Sequence, residues 1–349
     1  MRVLALLCLG LCVRGAARRP GPPVTALAFH PDGKTLISGG YQQALVWDLN
    51  NAKLARRIGP LAGQVRALAF SADGRTLAVA VGVPGRSGAV TLLDFETGAA
   101  TTLEETKDEV LAVALSPDGR FLAAGGTDAV VRVWDLADKQ PATDLKAHSD
   151  WISGLAFSPD GKLLATGSAD KTVRVWDTAS WKQRVQLPQT LTDVVNGVAF
   201  SPEGDLLAFA VGGLEERAVR IWRTANAFVE PDPARPAQRN SLVQTRPLDM
   251  GACLPLAVTF LSAPAGTKPP AGQPPPHSRM VVACADKTVK VVGIGGNVSN
   301  TLTGHSDWVY AVAASSDGLR FASGSGDGSV KVWGAGGRLL NTLTDEVHP

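Results

Sequence analysis

The chain has 349 residues, 34 of them basic and 32 acidic, for a net charge of +2. With no run of five like charges, that balance gives no electrostatic case for a nucleic acid or an acidic membrane surface as partner. Charged residues make up only 19%, while 37 glycines and 23 prolines fit many short strands joined by tight turns, in a single large domain.

Residues 1–17, MRVLALLCLGLCVRGAA, stand apart from everything that follows. One arginine precedes an uncharged apolar run at 3–13, and small residues come after it, which predicts a secretory signal peptide cleaved after Gly15 or Ala17. A run of that length is too short to cross a bilayer, which takes about 20 residues. Leu11 before Cys12, where a small residue is needed, speaks against a lipoprotein anchor. Arg14 directly behind the run fits the alternative of a misassigned start or an unprocessed tail. The expected location is export from a bacterium, periplasmic or beyond, if the leader is real, and the cytoplasm otherwise.

From residue 22 onward the chain repeats one unit, best formed at 148–177 as HSDWISGLAFSPDGKLLATGSADKTVRVWD. Three alternating apolar runs, ISGLAF, LLATGS and TVRVW, are each short enough for a strand. Ser158-Pro159-Asp160-Gly161 joins the first pair and Ala169-Asp170-Lys171 the second, predicting an antiparallel meander. The first turn recurs at 30–33, 71–74, 116–119, 201–204 and 315–318. The third strand ends at Trp47, Leu93, Trp134, Trp176, Trp222, Val292 and Trp333, with spacings of 46, 41, 42, 46, 70 and 41. A period of about 40–45 residues points to a propeller.

Every unit but the first is preceded by a polar run suited to an outer strand, at 53–58, 99–103, 142–146, 183–187, 243–248 and 298–303. Read as the outer strand of the unit that follows, these leave 338–343 over, and that strand is predicted to pair with the first meander and close the ring. The swollen unit lies between blades five and six. Residues 224–279 hold 11 of the 23 prolines, including PAGTKPPAGQPPPH at 264–277, which cannot feed a hydrogen-bonded ladder. A tolerated insertion outside the sheet is preferred there to a proline-rich ligand for another domain.

Gly304-His305, the Ser-Pro-Asp-Gly turns and the Trp-Asp pairs at 47–48, 134–135 and 176–177 resemble the WD-repeat β-propeller family over residues 22–344. The resemblance implies an all-β, seven-bladed propeller, closed here by the C-terminal strand, that acts as a non-catalytic scaffold for protein partners. It also implies a hydrogen-bonded tetrad of His, Ser or Thr, Asp and Trp. The matching residues are His148, Thr166, Asp170 and Trp176 in blade four, and His305, Ser323, Asp327 and Trp333 in blade seven. Ser, His and Asp together look like a catalytic triad, but beside an indole they are better read as satisfied buried polar groups. The other blades lack the histidine, so their Trp or its substitute is expected to rely on packing. Basic residues two before the Trp position, Arg132, Arg174, Arg220, Lys290 and Lys331, are read as stems packed on the adjacent blade, with a basic binding stripe as alternative.

Chemistry is sought elsewhere without result. The five histidines, at 30, 148, 277, 305 and 348, show no metal-ligand spacing, and neither a CxxC nor a GxSxG motif occurs, so no metal and no cofactor is expected. The glycines at 324–329 make a hairpin turn, and the sequon at Asn297 matters only in a glycosylating host. Aligned on blade four, Cys253 falls at Asp150 and Cys284 at Ser168, a diagonal placement about 7 Å apart, at the margin of disulfide geometry. They are read as two buried thiols; a bridge is the alternative for an exported chain.

The turns before the first strands gather at one mouth of the propeller. Asp108, Asp150, Asp193 and Asp307 align there, followed by Glu109, Trp151, Val194 and Trp308, and the longer turns at 81–90 and 211–219 open on the same side. Trp151 and Trp308 sit in near-identical strings, HSDWI and HSDWV, three blades of seven apart, or about 154° of rotation. These two indoles and four aspartates are the predicted contact surface for an unidentified protein partner, on a monomeric propeller. Consensus residues folded over the neighbouring blade are the plainer reading of the indoles. A propeller enzyme working at the mouth, or the interaction domain of a larger system, is the rival to the scaffold, but a repeated Asp with aromatics favours binding over catalysis.

Overall fold

The computed structural model describes residues 21–187, 191–228, 246–262 and 279–345. The leader at 1–17 and the proline-rich run at 264–277 lie outside them. The described residues form seven four-stranded antiparallel sheets, arranged as a seven-bladed β-propeller. Beyond the strands they hold a short 3-10 helix at Thr224–Phe228, and no helix is long and apolar enough to cross a membrane.

The turns explain why the meanders form. In blade four the first strand, Ile152–Phe157, reverses into the second, Leu163–Ser168, around the buried Ser158. Its hydroxyl donates to Asp160 Oδ1 at 2.6 Å and accepts the Leu163 N–H at 2.9 Å. Gly161, at φ 70°, supplies the left-handed residue that such a turn requires. Ser71, Ser116, Ser201 and Ser315 repeat the device, with Asp205 standing in for the turn carboxylate in blade five.

The aspartate after the tryptophan builds the next reversal. Asp177 Oδ1 accepts the Ser180 N–H at 2.9 Å, and Asp48 and Asp135 do the same for Asn50 and Ala137. The chain therefore folds straight back onto its own third strand, and this corrects the closure expected from the sequence. Lys53–Ile58 pairs with Ala44–Asp48 of blade one, and Gln183–Leu187 with Val173–Asp177 of blade four. The last strand, Leu339–Thr344, is the outer strand of blade seven, pairing Leu343 with Val330, and does not join blade one. The four strands of each sheet are consecutive in the chain; in blades one, three and four the capped turn leaves no slack to cross to the next blade, while in blade five residues 224–245 separate the third strand from the outer one.

The ring then closes by contact between complete blades. Among the described residues the core is seven clusters, one at each blade–blade interface, and the large third-strand residue always presses on the preceding blade. Trp176 packs with blade three, Trp134 with blade two and Trp333 with blade six. Between blades seven and one, Val24, Leu36 and Trp47 meet Val330, Val332 and Leu343. The Val24 N–H donates to Ser325 O at 2.9 Å, and Arg57 Nη1 reaches Asp345 at 2.6 Å.

Cys253 and Cys284 are disulfide-bonded, with Cα atoms 5.6 Å apart, which corrects the reading of two thiols. The cause is a bulge between Pro255 and Ala257 that folds the start of the first strand over the second. Blades four and seven share that bulge, and there the equivalent contact is a hydrogen bond, Ser168 Oγ to Asp150 O at 2.9 Å and Ser325 Oγ to Asp307 O at 3.0 Å. Blade six replaces the hydrogen bond with a covalent one.

Two outcomes are expected. Removing residues 338–349 should uncover Val330 and Val332 at the interface of blades seven and one, giving a melt several degrees lower and aggregation on size exclusion. Replacing both Cys253 and Cys284 by serine should lower unfolding free energy by about 3–4 kcal/mol in urea melts, the value for a loop of this length.

Candidate functional site

In blade four the tetrad is assembled as its residue types require. His148 Nδ1 lies 2.8 Å from Asp170 Oδ2 and Nε2 2.7 Å from Thr166 Oγ1, while the Trp176 indole N–H donates to the same Thr166 oxygen at 3.1 Å. An indole only donates, so Thr166 accepts and turns its own proton to Nε2, leaving the ring proton on Nδ1 to face the carboxylate. Blade seven repeats the arrangement: His305 to Asp327 at 3.1 Å, His305 to Ser323 at 2.8 Å, and Trp333 to Ser323 at 2.9 Å. The His148 side chain is 0% exposed, so no substrate reaches it, and the group serves to satisfy buried polar atoms.

Burial works against ionisation of Asp170, but hydrogen bonds from His148 and Thr172 outweigh it and hold the carboxyl well below the ordinary range. Asp327 is held down in the same way, burial being outweighed by His305 and Ser329.

Blade one keeps part of the set, its Trp47 indole donating to Ser38 Oγ at 2.8 Å, so packing is not its only support as the sequence suggested. The basic residues before the Trp position are mostly paired locally. Arg174 reaches Gln183, Arg220 Nε contacts Glu216 at 2.6 Å, and Lys331 contacts Thr342 at 3.1 Å, each within its own blade. Arg132 and Lys290 reach the preceding blade, at Glu104, 2.7 Å away, and at Met250 O, 3.2 Å away.

At the mouth the structure gives the four aspartates a shaping role. Asp150 and Asp307 each accept the N–H of the following tryptophan at 2.8 Å. Asp108 accepts the Gly85 N–H of blade two at 2.9 Å and the Glu109 N–H at 2.8 Å; burial opposes its ionisation, and these bonds outweigh it to lower its pKa. Asp193 accepts the Glu215 and Glu216 N–H groups at 2.6 and 2.8 Å. Trp151 and Trp308 are half-buried at equivalent positions, the latter 6.3 Å from the Tyr310 ring. In blade three that position carries Glu109, buried against Arg66 at 2.6 Å.

The segments at 81–90 and 211–219, expected as longer turns, instead prolong their strands, with Val81 paired to Ala89 and Val211 to Ala218. Alternating small and β-branched residues let the ladder run on, so these hairpins stand further out on the mouth side. Two residues there escaped the sequence reading, Tyr41, 55% exposed, and Leu214, 79% exposed. The signal for Leu214 was a lone leucine between paired glycines and paired glutamates at a hairpin tip.

Among the described residues, Cys253, Cys284 and Asp286 place possible metal-ligand atoms together, but the two sulfurs are bonded to each other and offer no thiolate.

Five segments, 17–48, 99–135, 139–177, 182–223 and 296–334, match the family described as WD domain, G-beta repeat, and together they cover more than half of the chain. They are the units whose third strand ends in tryptophan. The two units ending in Leu93 and Val292 are unmatched. The chain is 33% identical over 115 residues to the WD repeat-containing protein SL1-17 of Schistosoma mansoni, covering 32% of this chain and 36% of that one. It is 31% identical over 124 residues to the small ribosomal subunit protein RACK1 of Schizosaccharomyces pombe, covering 32% and 38%. A third relative is the U3 small nucleolar RNA-associated protein 18 homolog of Arabidopsis thaliana, 32% identical over 119 residues, covering 33% and 21%. The matched stretches thus span well under half of each relative.

The tetrad makes a pH-dependent prediction. Because the folded-state pKa of Asp170 lies below the ordinary value of 3.8, its stabilisation is present above that value and lost as pH falls through the folded pKa. Asp170→Asn should lower unfolding free energy by about 1.5–3 kcal/mol at neutral pH. The gap to the parent protein should hold steady down to mild acid and narrow below 3.8, as read in urea melts across pH.

Proposed function

The chain belongs to the WD domain, G-beta repeat family, and from that premise we propose that it is a non-catalytic scaffold docking a protein partner on the mouth of its propeller. One observation carries the reading: apolar side chains stand on that face at several blades. Tyr41 and Leu214 project from the turns between second and third strands, and Trp151 and Trp308 lie half-buried before the first strands of blades four and seven. Large side chains of this kind, ringed by polar groups, are what protein interfaces use as anchors. The His, Asp and Ser or Thr groups of blades four and seven are closed to substrate, which takes these enzyme-like features out of consideration as catalytic sites. Two relatives are named for assemblies, the small ribosomal subunit and the U3 small nucleolar RNA, and such company supports a role in holding components together.

The same propeller is proposed to work as a monomer outside the cytoplasm. The leader-like residues 1–17 and the Cys253–Cys284 bridge support that location, since structural disulfides persist where the surroundings are oxidising.

The test removes both indoles. Trp151→Ala with Trp308→Ala should abolish affinity capture of a native partner, each truncation costing about 2 kcal/mol of binding or more, while the melting temperature barely moves. Undiminished capture rejects the surface, and a melt several degrees lower assigns the indoles to packing instead.

A further inference from the structure

The seven blades solve one local problem in different ways, and blade three leaves it open. By register, Ala124 of blade three takes the place of Thr166, since both lie opposite the arginine two before the tryptophan. Thr106 takes the place of His148, four residues before Val110 as His148 is before Ile152, and Asp128 and Trp134 stand for Asp170 and Trp176. Blades four and seven fill this space with an imidazole. Blades two, five and six fill it with apolar side chains, Val79 and Leu93, Phe209 with Leu191, and Val282 with Val292. Blade three keeps the indole and the carboxylate but pairs them with two small side chains. The result is a pocket of about 340 Å³, lined by Thr106, Ala124, Asp128 and Trp134 together.

Trp134 is 2% exposed, and its indole N–H has no hydrogen-bond partner among the described residues, although the indoles of Trp47, Trp176 and Trp333 all donate to a hydroxyl. Opposite it, Asp128 Oδ2 accepts Arg132 Nη2 at 2.7 Å, and Arg132 Nε is held by Glu104 at 2.7 Å. The pocket thus offers a donor at its floor and carboxylates at its rim. An ammonium or guanidinium has no acceptor for the indole N–H, and a carboxylate has no donor for Asp128, while the Arg132 guanidinium that also lines the pocket is already held by Asp128 and Glu104. A neutral imidazole has one donor and one acceptor on a flat ring, and it is the group that the same frame holds in blades four and seven.

We propose that the pocket between blades two and three is a binding site for an imidazole group, brought by a histidine side chain of another molecule or by a free imidazole compound. The ring donates one N–H to Asp128 and accepts the Trp134 N–H at its other nitrogen, restoring in trans the contact that Thr106 and Ala124 took away. It borders the mouth, since Asp108 lines it too, but it uses none of the aromatic residues there.

The experiment follows the indole N–H resonances of the eight tryptophans in the intact protein while imidazole is added at mildly alkaline pH, where the ring is neutral. The Trp134 signal, assigned with Trp134→Phe, should move saturably while the others stay. Asp128→Asn, a change at an exposed position, should weaken binding about tenfold by removing a charge-assisted bond. Thr106→His with Ala124→Thr fills the pocket from within and should abolish the response. N-acetyl-histidinamide, titrated in parallel, separates the sources: saturation by it admits a partner's histidine, and saturation by imidazole alone restricts the site to small compounds. The proposal is overturned by no saturable shift up to about 100 mM imidazole, the weak end for so small a ligand. It is equally overturned by a shift that survives in Asp128→Asn and the filled variant, or by acetamide binding as well as imidazole.

Discussion

A blade of four short strands cannot bury both of its faces by itself, and the rest of this structure depends on that fact. Each sheet hides its apolar side chains only by leaning on its neighbours, so the core is distributed over the interfaces between blades. The third-strand tryptophan is the largest element of each contact where it occurs. Trp134 and Trp222 are almost wholly buried, and at about 1.5–3 kcal/mol or more for a large apolar side chain they outweigh any surface ion pair in the chain. Where the tryptophan is missing, Leu93 or Val292 packs in the same interface with less volume.

Closure follows from the same constraint. Blade seven and blade one are each complete, so no shared strand locks the ring, and apolar contact across their interface has to do so. The Arg57–Asp345 pair contributes little beside it, because Arg57 is a third exposed and exposed pairs are typically worth under about 1 kcal/mol. Innermost strands add polar ties between neighbours. Asn196 donates to Pro255 O at 2.8 Å, Thr25 to Val65 O at 2.5 Å, and Ser153 reaches Val195 O. These bonds point from one blade to the next in the same rotational sense and align the blades around the central opening.

At the rim of each interface a second choice is made, between a polar network, an apolar plug and a cavity. The network in blades four and seven is complete, with indole, hydroxyl, imidazole and carboxylate all engaged, and a complete network is stable in a place where a partial one is costly. Blade six departs furthest, setting the Cys253–Cys284 bridge where a serine hydroxyl would hold the turn. That bridge sits in the blade whose sequence is least regular and whose third strand ends in valine.

The sequence by itself determined the strands, most of the turns and the number of blades, because each is written in local chemistry: period-two apolar runs, Ser-x-Asp-Gly reversals and a third-strand end, tryptophan in five units of seven, every 41 to 46 residues outside the swollen unit. Both tetrads were legible through the resemblance to the WD-repeat family, whose four residue types have matching positions in blades four and seven. Which blade owns each outer strand was decided only in three dimensions, by the Asp48, Asp135 and Asp177 turns that fold the chain back on itself. The disulfide likewise needed the bulge at Pro255, which shortens a distance that strand spacing alone leaves marginal. The pocket of blade three was invisible for a similar reason. Thr106 and Ala124 are ordinary residues in the chain, and only the tertiary structure sets them beside Trp134 in the lining of one pocket.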